Sequence, residues 1–471
     1  MDRSQIPFLS ATDLSGLIKS REVSPVEAAE AYLDRIDQVD HQLHSYITVC
    51  RDEALAQSRQ AEQEIAENRY RGPMHGIPVA VKDQFCTRGI RTTNGSTIHK
   101  DFIPQEDATV IANLKKAGAV LLGKLNMSEY ASGDAFHHPY GRPRNPWDLS
   151  RNPGTSSSGS GAATAACLCS TSLGEDTGGS IRGPAAFCGL VGIRPSWGRV
   201  SRYGVFGASW SMDTVGPISR TTSDCAMTLS AIAGHDSKDP YTWNVTIPDY
   251  QAALTGNIRG LKVGVVQERV YSEAVEPEVK DAVIKAISVL GELGAVVQEV
   301  SIPLIVHSAA ISSAIISSDS ASLNRRDISE HLEEFDHNNQ VRLLMGSILP
   351  GQAYQKAIKL RHLLRQQILD VLERVDVLVM PTSSIPASPI PQRAGISSKQ
   401  EVLDGYAGRR SFTAPFNLAN TPALSINCGF TSGDLPIGLQ IAGKPFDEST
   451  LFQAAYAYEQ ATDWHTHRPP I

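Results

Sequence analysis

Apolar residues fall at helical spacing close to the start of the chain. Ala28, Ala29, Tyr32, Leu33 and Ile36 recur three and four apart behind Ser24-Pro25-Val26-Glu27, where serine and glutamate make a capping box and proline opens the first turn. A second helical pattern spans 51–67, with Ala54, Leu55, Ala61 and Ile65 on one face and the small Ser58 beside them. Together these predict a helical scaffold over 1–70. After Gly72-Pro73 the pattern changes to a β-branched apolar run, Ile77-Pro78-Val79-Ala80-Val81, which ends on the charged pair Lys82-Asp83. Asp107 stands where an N-cap is expected, Val110, Ile111 and Leu114 follow on one helical face, and 119–125 reads as a buried strand beyond Gly118. Strand, helix and strand in this order predict an α/β core in which helices cover a sheet of largely parallel strands.

The alternation returns further on. Residues 223–232 read as a helix, 261–266 as a strand, 277–293 as a strongly periodic helix and 295–300 as a strand. Between 303 and 350 the pattern weakens, with small residues over 308–322 and mixed charge over 325–334. A long helix over 352–374 leads to a strand over 375–380 closed by Pro381, then a Pro/Ser-rich loop over 382–398, a short strand pair and a closing helix. No repeat or heptad is present. The remainder, 71–471, therefore reads as one large α/β domain.

Composition adds exclusions. With 471 residues, 41% hydrophobic and 20% charged, the chain is long enough for one large core or two domains of ordinary globular type. A net charge of −7 and a pI near 6.0, with no Lys/Arg block, argue against direct nucleic-acid binding and against a polybasic membrane contact. The first residues lack the pattern of a signal peptide, and no apolar run approaches 18 residues, so residence in the cytoplasm is expected. The seven cysteines are scattered among apolar neighbours and read as reduced core thiols. Cys167 and Cys169 have no second pair to complete a zinc set, and neither a metal nor a cofactor is expected. His137 and His138 read as loop residues.

The chemistry concentrates between Arg151 and Arg182. A Gly/Ser-rich run, Gly154 to Gly161, is followed by a small apolar stretch, 162–168, and by a second tight turn, Gly178-Gly179-Ser180. Such a run alone reads as a linker, but no polar spacer follows it, and paired glycine turns around a buried helix bring backbone close to a ligand. Ser180 after two glycines offers a nucleophile beside backbone N–H donors suited to an oxyanion. The base must come from elsewhere, because neither a G-x-S-x-G elbow nor H-E-x-x-H occurs. Lysine is the other known activator of serine.

Read together, Lys82, the Gly/Ser-rich segment and Gly179-Ser180-Ile181-Arg182 resemble the amidase signature family. The resemblance runs from Leu14 to about Trp464 through PVAVKD, RNPWDLSRNPGTSSSGSGAA, DTGGSIRGPAAFCGLVGIRPSWGRVSRYGV, SWSMDTVGPISRT and PIGLQIAGKPFDESTL. It implies a single α/β domain with a central mixed, largely parallel sheet covered on both faces by helices, and a Ser-Ser-Lys triad. Lys82 would be the base, Ser180 the nucleophile and Ser156 the bridging serine on a cis peptide, with the amides of Thr177, Gly178, Gly179 and Ser180 forming the oxyanion hole. Thr155 and Ser158 stand where many relatives carry glycine, so their side chains are expected to narrow the loop.

The resemblance implies hydrolysis of small-molecule amides, or of related esters and carbamates, through an acyl-serine. The partner expected is the small-molecule substrate, and a homodimer is left open. Two alternatives stand beside it: the glutamine-hydrolysing amidase subunit of a tRNA-dependent amidotransferase, and a non-catalytic binding protein on the same scaffold. Met127 is a candidate pocket wall. Arg361 matches a carboxylate-binding arginine of the amidotransferase subunit, whereas Arg410 falls where that subunit carries an acidic residue suited to an α-ammonium group. A cation at 410 would repel glutamine.

Overall fold

The computed structural model describes residues 2–132, 136–393, 395 and 409–471, with the backbone alone at 409 and 410. Among these, eleven strands form one sheet: β1 (Tyr46–Val49), β2 (Pro78–Lys82), β3 (Val120–Leu125), β4 (Thr171–Glu175), β5 (Val191–Arg194), β6 (Val215–Ser219), β7 (Lys262–Val266), β8 (Val296–Val300), β9 (Val377–Pro381), β10 (Ala423–Phe430) and β11 (Pro436–Gly443). Their order is β1-β3-β2-β4-β6-β5-β10-β11-β9-β7-β8. The sheet is mixed, as expected, but its parallel share is smaller than expected. Parallel pairing is confined to β3-β2-β4 and β9-β7-β8, and the other six pairings are antiparallel. The β10–β11 hairpin explains part of this, since a short turn can join only antiparallel neighbours. Its register, Ala423 opposite Ala442 through Phe430 opposite Pro436, places eight-residue strands at the middle of the sheet.

The N-terminal helices form where the capping chemistry puts them. Ser24 accepts from the Glu27 N–H while the Glu27 carboxylate accepts from the Ser24 N–H, and Pro25–Leu43 follows with Ala28, Ala29, Tyr32, Leu33 and Ile36 buried. Arg51–Ala66 buries Ala54, Ser58, Ala61 and Ile65. The first seventy residues also supply β1, an edge strand on β3. One hydrophobic core runs from Ile6 to Tyr458.

Asp107 does not cap the next helix. Thr109–Lys116 starts behind Ala108, and the Asp107 carboxylate instead accepts from the Arg88 N–H and the Lys115 ammonium. The weakly patterned region is helical, with helices at Ser308–Leu323, Arg325–His331 and His337–Ile348. Its periodicity is faint because buried serines, Ser308, Ser312 and Ser320, alternate with the isoleucines. Residues Pro303–Leu323 have the length and mean hydropathy of a membrane span, 21 residues at 1.2, a match the residue pattern had not suggested; 56% of that window is buried against the protein's own helices.

Candidate active site

Lys82 is the last residue of β2, held between β3 and β4 by parallel pairing. Its side chain is fully buried, and Nζ donates to Ser156 Oγ at 2.8 Å. Burial drives its pKa below the usual lysine range, against the opposing pull of Glu175, whose Oε2 lies 3.5 Å away, and of Asp176 and Asp213. Neighbouring strand residues face opposite ways, and Asp83 accordingly turns from the site. It accepts from the Thr93 N–H and hydroxyl and lies 3.4 Å from Lys124 Nζ.

Ser156 follows Thr155 through a cis peptide bond and precedes the helix Ser158–Ala165, which begins inside the Gly/Ser run. That run is structural because its helix lies against backbone. A Cβ on Gly159 would come within 2.4 Å of the Ser45 carbonyl and 2.5 Å of the Asn126 nitrogen, so no side chain fits there. Thr155 lines the cleft beside Ser156, while Ser158 is buried away from it.

The Ser180 loop is fixed from beneath by Asp176. This carboxylate accepts from the Gly179 N–H at 2.7 Å and the Ile181 N–H at 3.2 Å, and pairs with Arg182. Gly179 has φ 116°, and a Cβ there would sit 2.2 Å from Thr413 Oγ1. Of the four amides expected to form an oxyanion hole, one already has a partner. The Gly179 N–H is engaged by Asp176, whereas the amides of Thr177, Gly178 and Ser180 make no hydrogen bond among the described residues. Ser180 is partly exposed.

Ser156, Thr177, Gly178 and Ser180 line one cleft, together with Ala131, Ser132, Thr155, Ala208, Ile316 and Arg342. Arg342 comes from the helix His337–Ile348, and its Nη2 donates to Ser320 at 3.0 Å. Nothing in its sequence neighbourhood marks it; it reaches the cleft through the packing of that helix on Ser308–Leu323. Two expected substrate contacts are placed elsewhere. Met127 is fully buried and packs by Gly95. Arg361 does not line the cleft, because its guanidinium donates to the Leu418 carbonyl, to Ser211 and to Asn420. The Arg410 side chain lies outside the described residues. A larger cavity of about 530 Å³, bordered by His44, His138, Arg142 and Arg144, is lined by none of Lys82, Ser156 and Ser180, and chemistry rather than volume selects the smaller cleft. All seven cysteines are free thiols, six of them buried.

A buried lysine bonded to a serine, opening on a second serine in a glycine turn, within a mixed sheet flanked by helices, defines a serine hydrolase of amide type. The family model Amidase matches residues 27–452, and the chain belongs to that family, the amidase signature enzymes. It is 41% identical to a subunit of the glutamyl-tRNA(Gln) amidotransferase of Moorella thermoacetica, over 99% of both chains. It is also similar to the peptide amidase of Stenotrophomonas maltophilia (TM-score 0.85, 31% identity, 98% of both chains). A third similarity is to a vestigial protein complex that reveals the evolutionary origins of an s-triazine catabolic enzyme (TM-score 0.88, 30% identity, 96% of this chain and 98% of that one). The chain is an amide hydrolase.

Proposed function

We propose that this amidase acts on small-molecule carboxylic amides through a covalent acyl-Ser180, as a stand-alone cytoplasmic enzyme. The Lys82 Nζ to Ser156 Oγ hydrogen bond at 2.8 Å carries the reading. Neutral Lys82 draws the Ser180 proton through the Ser156 hydroxyl, Ser180 attacks the carbonyl, and the oxyanion meets the amides of Thr177, Gly178 and Ser180. The proton returns from Lys82 to the leaving nitrogen, and water then releases the acid by the same route.

The second reading is the glutamine-hydrolysing component of an amidotransferase, favoured by the 41% identity to one such chain. Against it stand Arg410, where an acid would suit the α-ammonium, and Arg361, whose donors already serve protein acceptors. A panel of amides, esters and carbamates that includes neutral and anionic acyl groups and glutamine separates the two. Hydrolysis of simple amides by the purified chain, with little ammonia from glutamine, is the expected result. If glutamine is the best substrate, or if activity needs an added partner chain, the amidotransferase reading replaces this one.

A further inference from the structure

Beside Lys82, one hydroxyl lies between two carboxyls. Thr177 Oγ1 is 2.6 Å from Glu175 Oε1 and 2.8 Å from Asp213 Oδ1. A threonine hydroxyl has one hydrogen to give, and an ionised carboxylate only accepts. Two contacts this short therefore need a second proton, and one of the carboxyls must hold it. What else the two groups receive decides which.

Asp213 is built to be an anion. Its Oδ2 accepts from the Ala208 N–H at 2.8 Å, and the Ser209 N–H lies 2.9 Å from Oδ1 and 3.0 Å from Oδ2. Among the described residues Glu175 has no such donors: Oε1 meets Thr177 alone, and Oε2 makes no hydrogen bond and has only Lys82 Nζ at 3.5 Å. Burial pushes both carboxyls up, but at Asp213 the backbone donors, Thr177 and Arg202 oppose it, whereas Glu175 also feels the charge of Asp213 and is pushed up to about 7. The remaining charge at the site, Asp176, is neutralised by Arg182 at 3.0 Å with Arg194 Nε at 4.0 Å.

We propose that Glu175 is a neutral carboxylic acid whose O–H donates to Thr177 Oγ1, Thr177 in turn donating to Asp213, and that this proton leaves Lys82 an uncharged base. With one proton between them, Lys82 and Glu175 have two tautomers, ammonium with carboxylate or amine with carboxylic acid. Only the second can accept the Ser180 proton through Ser156. Lys82 becomes an ammonium in that step and returns to an amine when the leaving nitrogen takes the proton, while Glu175 keeps its own proton throughout. Glu175 is thus a positioning residue that sets the charge of Lys82 without touching substrate. The inference rests on the acyl-serine reading above.

The test uses a fluorophosphonate, which phosphonylates an activated serine, and reads its labelling rate against pH in the whole chain. Glu175→Gln supplies an uncharged group of the same shape that can still donate to Thr177. Labelling of Ser180 should persist, with the acidic limb within about 0.3 pH unit of the parent. If the resting pair is instead ammonium with carboxylate, removing the carboxylate charge lowers that limb by about one pH unit or more, which overturns the proposal. Failure of the parent itself to be labelled at Ser180 would instead sink the acyl-serine reading. A second measurement needs no change at 175. In protein labelled with carboxyl-¹³C glutamate and carrying Glu459→Gln, which removes the other buried glutamate pushed up to about 7, one carboxyl resonance should still titrate near 7. The absence of any protonated glutamate at pH 6 would refute the assignment.

Discussion

Asp176 and Arg182 form a closed, fully buried pair beneath the Ser180 loop: Nη2 donates to Oδ1 at 3.0 Å and Nε to Oδ2 at 3.1 Å. Because the same carboxylate also receives the Gly179 N–H, the pair fixes the turn that presents Ser180. Burial alone would push Asp176 up, but Arg182 and Arg194 more than reverse this and hold it well below the usual carboxylate range. A depressed carboxyl contributes stability that is complete above its unfolded pKa, near 3.9, and is lost as pH falls through the folded value. Replacing Asp176 with Asn leaves Arg182 charged, buried and without a counter-charge. The expected cost is about 3–5 kcal/mol, read as a lower urea midpoint at neutral pH. A loss below about 1 kcal/mol would show that the pair does not hold the loop.

Removing the Ser180 hydroxyl should separate chemistry from folding. Ser180 is partly exposed and makes no side-chain hydrogen bond among the described residues, so Ser180→Ala should shift stability by less than about 0.5 kcal/mol. Turnover should nearly vanish, and the fluorophosphonate adduct should be lost with it. Peptide mapping that places the adduct on Ser156 or Ser157 would reassign the roles.

The two glycines before Ser180 are not equivalent. At Gly179 an added Cβ meets Thr413 Oγ1 at 2.2 Å and the Thr413 Cβ at 2.5 Å, in a backbone conformation with φ 116°. At Gly178 the nearest atom is Ile316 Cδ1 at 3.6 Å, an ordinary contact. Gly179→Ala should therefore cost roughly 1–3 kcal/mol in strain and slow labelling of Ser180 more than about tenfold. Gly178→Ala should fold with nearly parental stability and perturb only the cleft wall. Equal thermal shifts for the two variants would contradict this reading of the turn.

How much of this was legible in the sequence follows from where the signal is local. The Ser24 capping box and the glycine turn at Ser180 are written in adjacent residues, and both are found where the sequence puts them. The central strands β4, β5 and β6 escaped notice because they are buried throughout and built from Ser, Gly, Thr and Pro among few large apolar residues, so no alternation marks them. Strand direction was misjudged for a related reason: βαβ units at the two flanks are visible in sequence, whereas the antiparallel centre arises from long-range pairing such as β5 with β10. Arg342 comes to the cleft only through the fold, whereas Glu175 stands two residues before Thr177 and gains its meaning from Lys82 and Asp213, which no local pattern places beside it. Arg361 matched a motif, yet its donors are held by Ser211, the Leu418 carbonyl and Asn420, contacts that no local pattern encodes.

The base itself is tested by comparing leaving groups. A lysine with the ordinary pKa near 10.4 is almost wholly protonated at neutral pH and cannot accept the Ser180 proton. Burial at the end of β2 disfavours the ammonium and lowers the pKa of Lys82, a shift that only an ionised Glu175 would oppose strongly. The active form is the deprotonated one, so kcat/KM should rise with pH along an acidic limb and level off once Lys82 is neutral. Lys82→Ala removes both the acceptor and the donor of the returned proton. It should abolish the limb and cost more, by about tenfold or greater, for an amide than for an activated ester, because only the amide's leaving nitrogen needs that proton. Serine giving its proton directly to a solvent base would give equal losses on the two substrates. Equal losses, or an acidic limb unchanged in Lys82→Ala, would place the proton shuttle elsewhere in the cleft.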